Sequence, residues 1–219
     1  MTAIEGATLW PDVRPAKPYP RMPDTLIPLA LFSLAGSYTP GPNTIMLTAS
    51  GQAFGFRRSI PHMAGIMVGC ITLFTAFGFG LAQVFQLYPE LHKVLRIAGA
   101  AYLLYLAFRI LRAGDPAGNG EKRARPLTLI EAAAFQWVNV KALTLAVGIM
   151  AAFTTVGGDQ VREVALIVTV FSLVTLPSVV IYVLFGVAIG RLLKSERARR
   201  IFNATMAALV ALSVVLLFI

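Results

Sequence analysis

The sequence contains one cysteine, Cys70, and this scarcity excludes several kinds of protein. A single cysteine cannot form an intrachain disulfide, a Cys-x-x-Cys redox pair or a thiolate cage around a metal ion. There are two histidines, and no His-Glu-x-x-His zinc motif is present. No spacing typical of a nucleophile with its base is found either. The residues therefore offer no support for a metalloenzyme or a hydrolase.

Charged residues are also few, at 13% of the chain, whereas 57% of the residues are hydrophobic. The mean hydropathy of +0.74 is far above that of an ordinary soluble domain. These values predict a polytopic membrane protein. A net charge of +9 would suit nucleic-acid binding in a soluble protein, but here the basic residues cluster between apolar stretches. They therefore indicate membrane topology, and we expect no nucleic-acid partner.

Six apolar stretches are long enough to cross a bilayer, whose ~30 Å hydrocarbon core needs a helix of ~20 residues. They cover approximately residues 25–54, 61–85, 91–111, 129–153, 164–189 and 201–219. Residues 1–23 hold five prolines and predict a disordered extracytoplasmic leader. A polar loop, 113–126, separates two halves, 24–112 and 127–219. We expect an all-α integral membrane protein with a single six-helix domain, 24–219.

The distribution of lysine and arginine predicts the orientation of this domain. Twelve of the 19 basic residues lie at residues 57–58, 109–125 and 191–200, and six lie on the opposite side. Because cytoplasmic loops carry the excess of basic residues, both termini are expected to be extracytoplasmic and the loop 113–126 cytoplasmic. The remaining basic residue, Lys141, falls inside the fourth span.

The first span is interrupted near its middle by the run Thr39-Pro40-Gly41-Pro42-Asn43, which lies at the centre of 32 uncharged residues. Two prolines on either side of a glycine cannot continue a helix. Peptide groups freed inside a membrane must be buried in protein or line a wet cavity. Gly41 as N-cap and Pro42 as first helical residue would start a new half-helix, with Asn43 and Thr44 at its positive end. We expect an anionic group to bind there, although a simple kink remains open.

The fourth span carries a second polar interruption, formed by Gln136, Asn139 and Lys141, and we expect the helix to break at Asn139 to Lys141. An ammonium near the bilayer midplane costs at least ~2.5 kcal/mol, so Lys141 is a functional candidate by default. No mid-span carboxylate is available to it, and the substrate could supply its counter-charge. The alternative is that Lys141 lies at a shallower depth and snorkels to the interface.

The positions of the two interruptions predict an inverted repeat. Three spans precede the loop and three follow it, so the halves have opposite orientations, and each opens with a helix broken at mid-membrane. A transport site would then lie between the breaks. Its candidate substrate-binding residues are Thr39, Pro40, Gly41, Pro42, Asn43, Thr44, Gln136, Asn139 and Lys141. Pro177, in the fifth span, is a candidate hinge or a plain packing kink.

Three segments also carry a resemblance to a known family. Residues 36–69, GSYTPGPNTIMLTASGQAFGFRRSIPHMAGIMVG, resemble the amino-terminal signature of the LysE/RhtB family of amino-acid exporters. Residues 97–111, IAGAAYLLYLAFRIL, resemble the third-span motif of that family, and residues 135–143, FQWVNVKAL, are similar to its Asn-Pro-Lys-Ala motif. Val140 stands where the family has proline, so a softer break is expected in the fourth span.

The resemblance implies a bacterial inner-membrane exporter of amino acids or their derivatives, driven by the proton gradient. A cationic substrate would require an acidic side chain at mid-depth, and none is present, so a neutral amino acid is expected. Its partners would be this small molecule and the lipid bilayer, without cofactor, metal or catalytic residues. Export of another small solute or a metal ion, an intramembrane enzyme, and assembly into a homodimer remain open. Against a metal ion, the predicted spans place His62 and His92 at opposite membrane faces.

Overall fold

The structure is a computed structural model that describes residues 22–81, 83, 87–112, 125–155 and 157–215. Its elements are helical, and no β-strand occurs among these residues. Residues 1–21 of the predicted leader and residues 113–124 of the predicted central loop lie outside the described ranges.

Eight α-helices follow one another along the described chain. They are α1 (Met22–Tyr38), α2 (Pro42–Phe54), α3 (Phe56–Ala76), α4 (Pro89–Arg112), α5 (Leu129–Gln136), α6 (Val140–Phe153), α7 (Gln160–Leu192) and α8 (Glu196–Val215). A π-helical turn, Phe77–Leu81, extends α3, and Gly80 within it has a φ of 106°, which favours glycine.

Four of the described helical stretches are long and apolar enough to cross a membrane. They are Phe56–Leu81, Lys93–Arg112, Gln160–Leu192 and Glu196–Val215. The pair α5 and α6 would form a fifth span, bent by 58° at its break. The apolar segment Thr25–Tyr38 of α1 is shorter. Length and composition thus support a multi-pass helical membrane protein with four or five candidate spans.

Glycines lie at several close helix contacts of the bundle, and Gly65 and Gly69 have the small-xxx-small spacing that allows helices to approach closely. A Cβ at Gly65 would lie 2.4 Å from the carbonyl oxygen of Leu129, and one at Gly69 would lie 2.6 Å from that of Ala133. The backbone of α3 therefore packs directly on α5. This contact fixes the position of Gln136, at the end of α5, relative to α3.

A second close contact joins α2 to α7, and this is the most extensive contact between two described helices. A Cβ at Gly51 would lie 2.1 Å from the carbonyl oxygen of Val183, and one at Gly186 would lie 2.1 Å from that of Thr48. Helix α7 also packs against α1 and α3, and α4 packs against α8. Because α7 contacts both α1 and α2, it spans the break between them.

We predict that Gly186→Ala destabilises the bundle, because the added methyl group would overlap backbone atoms of α2 that cannot rotate away. Overpacking of this kind costs about 1–3 kcal/mol. Thermal unfolding of the purified protein in detergent measures the loss. The matched control is Gly148→Ala, whose Cβ would meet only the tip of Phe32, at 3.3 Å. An unchanged melting temperature for Gly186→Ala would contradict the close α2–α7 contact.

Candidate functional site between the two helix breaks

Both broken helices are interrupted for three residues. Helix α1 ends at Tyr38 and α2 begins at Pro42, as the sequence predicts. Helix α5 ends at Gln136 and α6 begins at Val140, so the second break covers residues 137–139 and not 139–141 as expected. The reason is that the Asn139 side chain accepts a hydrogen bond from the Lys141 N–H, 3.2 Å away, and caps the new helix. Lys141 therefore lies in the first turn of α6.

Val140 lies at the second break, where the helix is fully interrupted over three residues. It is the first helical residue of α6, the position that Pro42 occupies in α2. Proline is favoured there because the N–H of this residue has no partner inside the helix. Valine can take the same place, since Asn139 supplies the cap, and the bend of 58° remains.

Two side-chain contacts connect the breaks reciprocally. The amides of Asn43 and Gln136 exchange two hydrogen bonds, with Nδ2 to Oε1 at 2.8 Å and Nε2 to Oδ1 at 3.1 Å. The Lys141 ammonium donates to the carbonyl oxygen of Thr39 at 2.5 Å and to its hydroxyl at 2.8 Å. Asn43 and Lys141 are each the second residue of the helix that follows a break. Each therefore reaches the end of the other interrupted helix.

Lys141 is partly exposed. The sequence suggested the substrate as its partner, but in the structure its ammonium donates a hydrogen bond to Thr39. The Thr39 carbonyl lies just beyond the C-terminus of α1, where the helix dipole favours a cation. The lysine stem passes close to Gly41, because a Cβ there would lie 2.9 Å from Cδ and 3.3 Å from Nζ. Gly41 itself is extended, with φ −174°, so this contact, and not its backbone conformation, is what requires glycine.

Helix α7 supplies further donors to the end of α1. The Ser178 hydroxyl donates to the carbonyl oxygen of Ser37 at 2.9 Å, and the Tyr182 hydroxyl donates to that of Tyr38 at 2.8 Å. The Ser37 and Thr175 hydroxyl oxygens lie 2.7 Å apart. Sequence reasoning missed the three α7 residues. Their spacing along an apolar span, i, i+3 and i+7, forms a polar stripe on one helix face that could have revealed them.

A cavity of about 50 Å³ lies between the breaks and α3 and α7. One water needs ~10–15 Å³ of such a volume, so the cavity has room for roughly three to five waters, or for a small organic molecule. Polar residues from both breaks and from α7 line part of it, namely Ser37, Gly41, Asn43, Thr44, Asn139, Lys141, Thr175, Ser178 and Tyr182. The structure thus brings together five of the nine predicted binding residues at this cavity.

The other four predicted residues surround the cavity without lining it. Thr39 and Pro40 are exposed, and Thr39 holds Lys141. Pro42 is buried in the first turn of α2, and Gln136 is fully buried beneath Asn43. Pro177 is an exposed residue inside α7, directly before Ser178, and the helix continues through it.

The cavity lining carries little charge. Lys141 is the one Lys, Arg, Asp or Glu among the described residues that line it. The described part of the chain also holds no group of three or more His, Cys, Asp or Glu residues that could bind a metal ion. The cavity therefore offers one cation, several hydroxyl and amide groups, and the N-terminus of α2.

A helical membrane protein with two interrupted helices around a small, partly polar cavity has the features of a secondary transporter. Sequence comparison identifies the family. The model of the LysE type translocator family matches residues 34–219, and the chain belongs to this family.

Among characterised proteins, the chain is similar to the cysteine/O-acetylserine efflux proteins of Escherichia coli (strain K12) and Salmonella typhimurium (strain LT2). Each is 33% identical over 125 residues, which is 56% of this chain and 62% of the relative. The similarity therefore spans less than two thirds of the relatives' length. No solved structure matches the chain significantly.

We predict that the Asn43–Gln136 contact stabilises the protein as a pair. Asn43→Leu leaves the buried Gln136 amide without two hydrogen bonds, which costs about 1–3 kcal/mol. Replacing both residues, as Asn43→Leu with Gln136→Met, removes the unsatisfied groups together. The double variant should therefore lose less stability than the sum of the single variants, by about 0.5–3 kcal/mol.

Thermal unfolding of all four proteins in one detergent gives this double-mutant cycle. Additivity of the two single losses within about 0.5 kcal/mol would show that the residues act independently and would contradict the contact.

Proposed function

We propose that this protein exports small neutral amino acids or their derivatives across the bacterial inner membrane, with the cavity between the helix breaks as its substrate site. The observation that carries the proposal is the convergence of Lys141 and the start of α2 on one small cavity. In transporters with interrupted helices, the N-terminal end of a half-helix commonly binds an anionic substrate group. Membership of a translocator family and similarity to efflux proteins support the same function.

The substrate carboxylate would bind at the N-terminus of α2, beside Asn43 and Thr44, and to Lys141. The positive end of the helix dipole favours an anion there. The Lys141 ammonium now bonds to Thr39, and rotation about its four-carbon stem, which lies against Gly41, would direct it to the carboxylate. A charged hydrogen bond of this kind contributes about 1.5–3 kcal/mol.

The ammonium group of the substrate would lie near the end of α1. Ser37 lines the cavity at this end, and the negative pole of the α1 dipole favours a cation. One interrupted helix thus presents a negative and a positive pole to the same space, which matches the two charges of an amino acid. Since the described lining contains no carboxylate, a substrate with an additional positive side chain would lack a counter-charge.

Part of the helix packing supports two inverted halves, 24–112 and 127–219. If α1 and α2 correspond to α5 and α6, then α3 corresponds to α7 and α4 to α8. The contact of α1 with α7 then has its counterpart in that of α5 with α3, and the pairs α3–α7 and α4–α8 each lie across the symmetry axis. Alternating access would occur as these halves rock, with Pro177 as a hinge that lacks a backbone donor.

The proposal also includes the orientation of the protein in the membrane and the energy source for export. The excess of lysine and arginine at residues 57–58, 109–125 and 191–200 favours a cytoplasmic location for these segments and both termini outside. Export would be coupled to the proton gradient. Because the described cavity lining contains no carboxylate or histidine, we assign the proton exchange to Lys141, the charged side chain in that lining.

We predict that Lys141→Met lowers substrate efflux at least tenfold, because methionine keeps the apolar stem and removes the charged contact of about 1.5–3 kcal/mol. The measurement is efflux from proteoliposomes of known orientation that are loaded with radiolabelled neutral, acidic and basic amino acids, with and without a pH gradient. The matched control is Lys93→Met, since Lys93 forms an exposed ion pair with Glu90 at 2.7 Å and does not line the cavity.

Wild type should release a neutral amino acid faster when the gradient is imposed, and the control variant should behave like wild type. Unchanged efflux by Lys141→Met at equal expression would remove Lys141 from the site. Absence of amino-acid movement in wild type under every gradient would contradict the proposed substrate class.

A further inference from the structure

One side of the cavity is apolar and takes no part in the contacts described above. Ile66, Cys70 and Phe74 line it from α3, and Phe171 lines it from α7. All four residues are buried. The centroids of the Phe74 and Phe171 rings are 4.3 Å apart, and the ring planes are inclined by 44°. The two rings therefore contact each other and form a closed aromatic wall.

We infer that this wall is the subsite for the substrate side chain, and that Phe74 and Phe171 set the upper limit of side-chain size. The inference rests on the proposed function, because it assumes that an amino acid occupies the cavity. The inference adds a limit on the size of the substrate side chain, which the polar residues of the cavity do not set.

Helix geometry places the apolar wall beside the polar groups of the same cavity. Residues 66, 70 and 74 are spaced by four, so they share one face of α3. On α7, Phe171 lies one turn before Thr175, which continues into the polar stripe of Ser178 and Tyr182. If the charged groups of the substrate bind at the helix breaks, its side chain would face the apolar side of the cavity.

The size of the space decides which side chains fit. The cavity of about 50 Å³ has room for roughly three to five waters in total, and the charged groups of the substrate occupy part of it. Phe74, at 1% exposure, and Phe171, at 5%, are packed in the protein core, so the wall cannot retreat without a cost. We therefore expect small side chains to bind more tightly than those of leucine and phenylalanine.

The test measures binding with a series of side chains. Alanine, serine, valine, leucine and phenylalanine are each added to the purified protein in detergent, and the ligand-dependent rise in melting temperature gives the affinity. Wild type should bind alanine and serine and bind leucine and phenylalanine at least tenfold more weakly. A misfit of one methylene in a pocket changes selectivity about 10–200-fold, so the series resolves the limit.

Phe171→Ala should raise the affinity for leucine at least tenfold, with a smaller change for alanine, and Phe171→Leu should give an intermediate result. Phe77→Ala is the matched control, because Phe77 is equally buried on the turn that follows α3 but does not line the cavity. Efflux from proteoliposomes with the same amino acids should show the same change of selectivity.

The outcomes separate the two proposals. If wild type binds no amino acid, the proposed function fails and the subsite fails with it. If wild type binds small amino acids but Phe171→Ala leaves their order unchanged, or Phe77→Ala changes it equally, only the subsite is overturned. If the Phe171 variants do not fold, the wild-type series still decides, because equal affinity for alanine and phenylalanine would contradict a size limit set by this wall.

Discussion

An apolar environment cannot satisfy the peptide groups that a helix break leaves without partners, and this constraint governs the packing around residues 39–41. The carbonyl groups at the very end of α1, and that of Thr39 just beyond it, receive hydrogen bonds from other parts of the chain. Ser178 and Tyr182 of α7 bond to Ser37 and Tyr38, and Lys141 of α6 bonds to Thr39. The break therefore depends on the approach of α6 and α7 to the end of α1. Both helices also line the cavity.

The two breaks depend on each other. Asn43 and Lys141 occupy equivalent positions in α2 and α6, and each bonds to a residue at the end of the opposite interrupted helix. One contact joins two neutral amides, and the other joins a cation to the negative end of a helix. The contact of Lys141 with Thr39 therefore carries a positive charge, whereas the contact of Asn43 with Gln136 is neutral. The proposed substrate site uses that charge, and the neutral pair holds α2 against α5.

Sequence reasoning located the first break correctly because proline and glycine act locally through missing donors and fixed dihedrals. It located the second break two residues too late, because the polar residues there do not by themselves stop a helix. Whether Asn139 caps a helix or lies inside it depends on the backbone that surrounds it. The polar residues of α7 were missed for a related reason, since Ser178 and Tyr182 gain their role from the carbonyl groups of α1.

The sequence by itself determined the membrane class, the first interruption and the presence of one unusual lysine, because these follow from hydropathy, backbone chemistry and the cost of burying a charge. Its motifs also indicated the family. Only the tertiary structure decided that Lys141 bonds to Thr39, that Gln136 supports Asn43, and that Phe74 meets Phe171 at one cavity. These partners lie 93 to 102 residues apart in the chain, and the close approach of helices at glycines such as Gly51 and Gly69 brings them together.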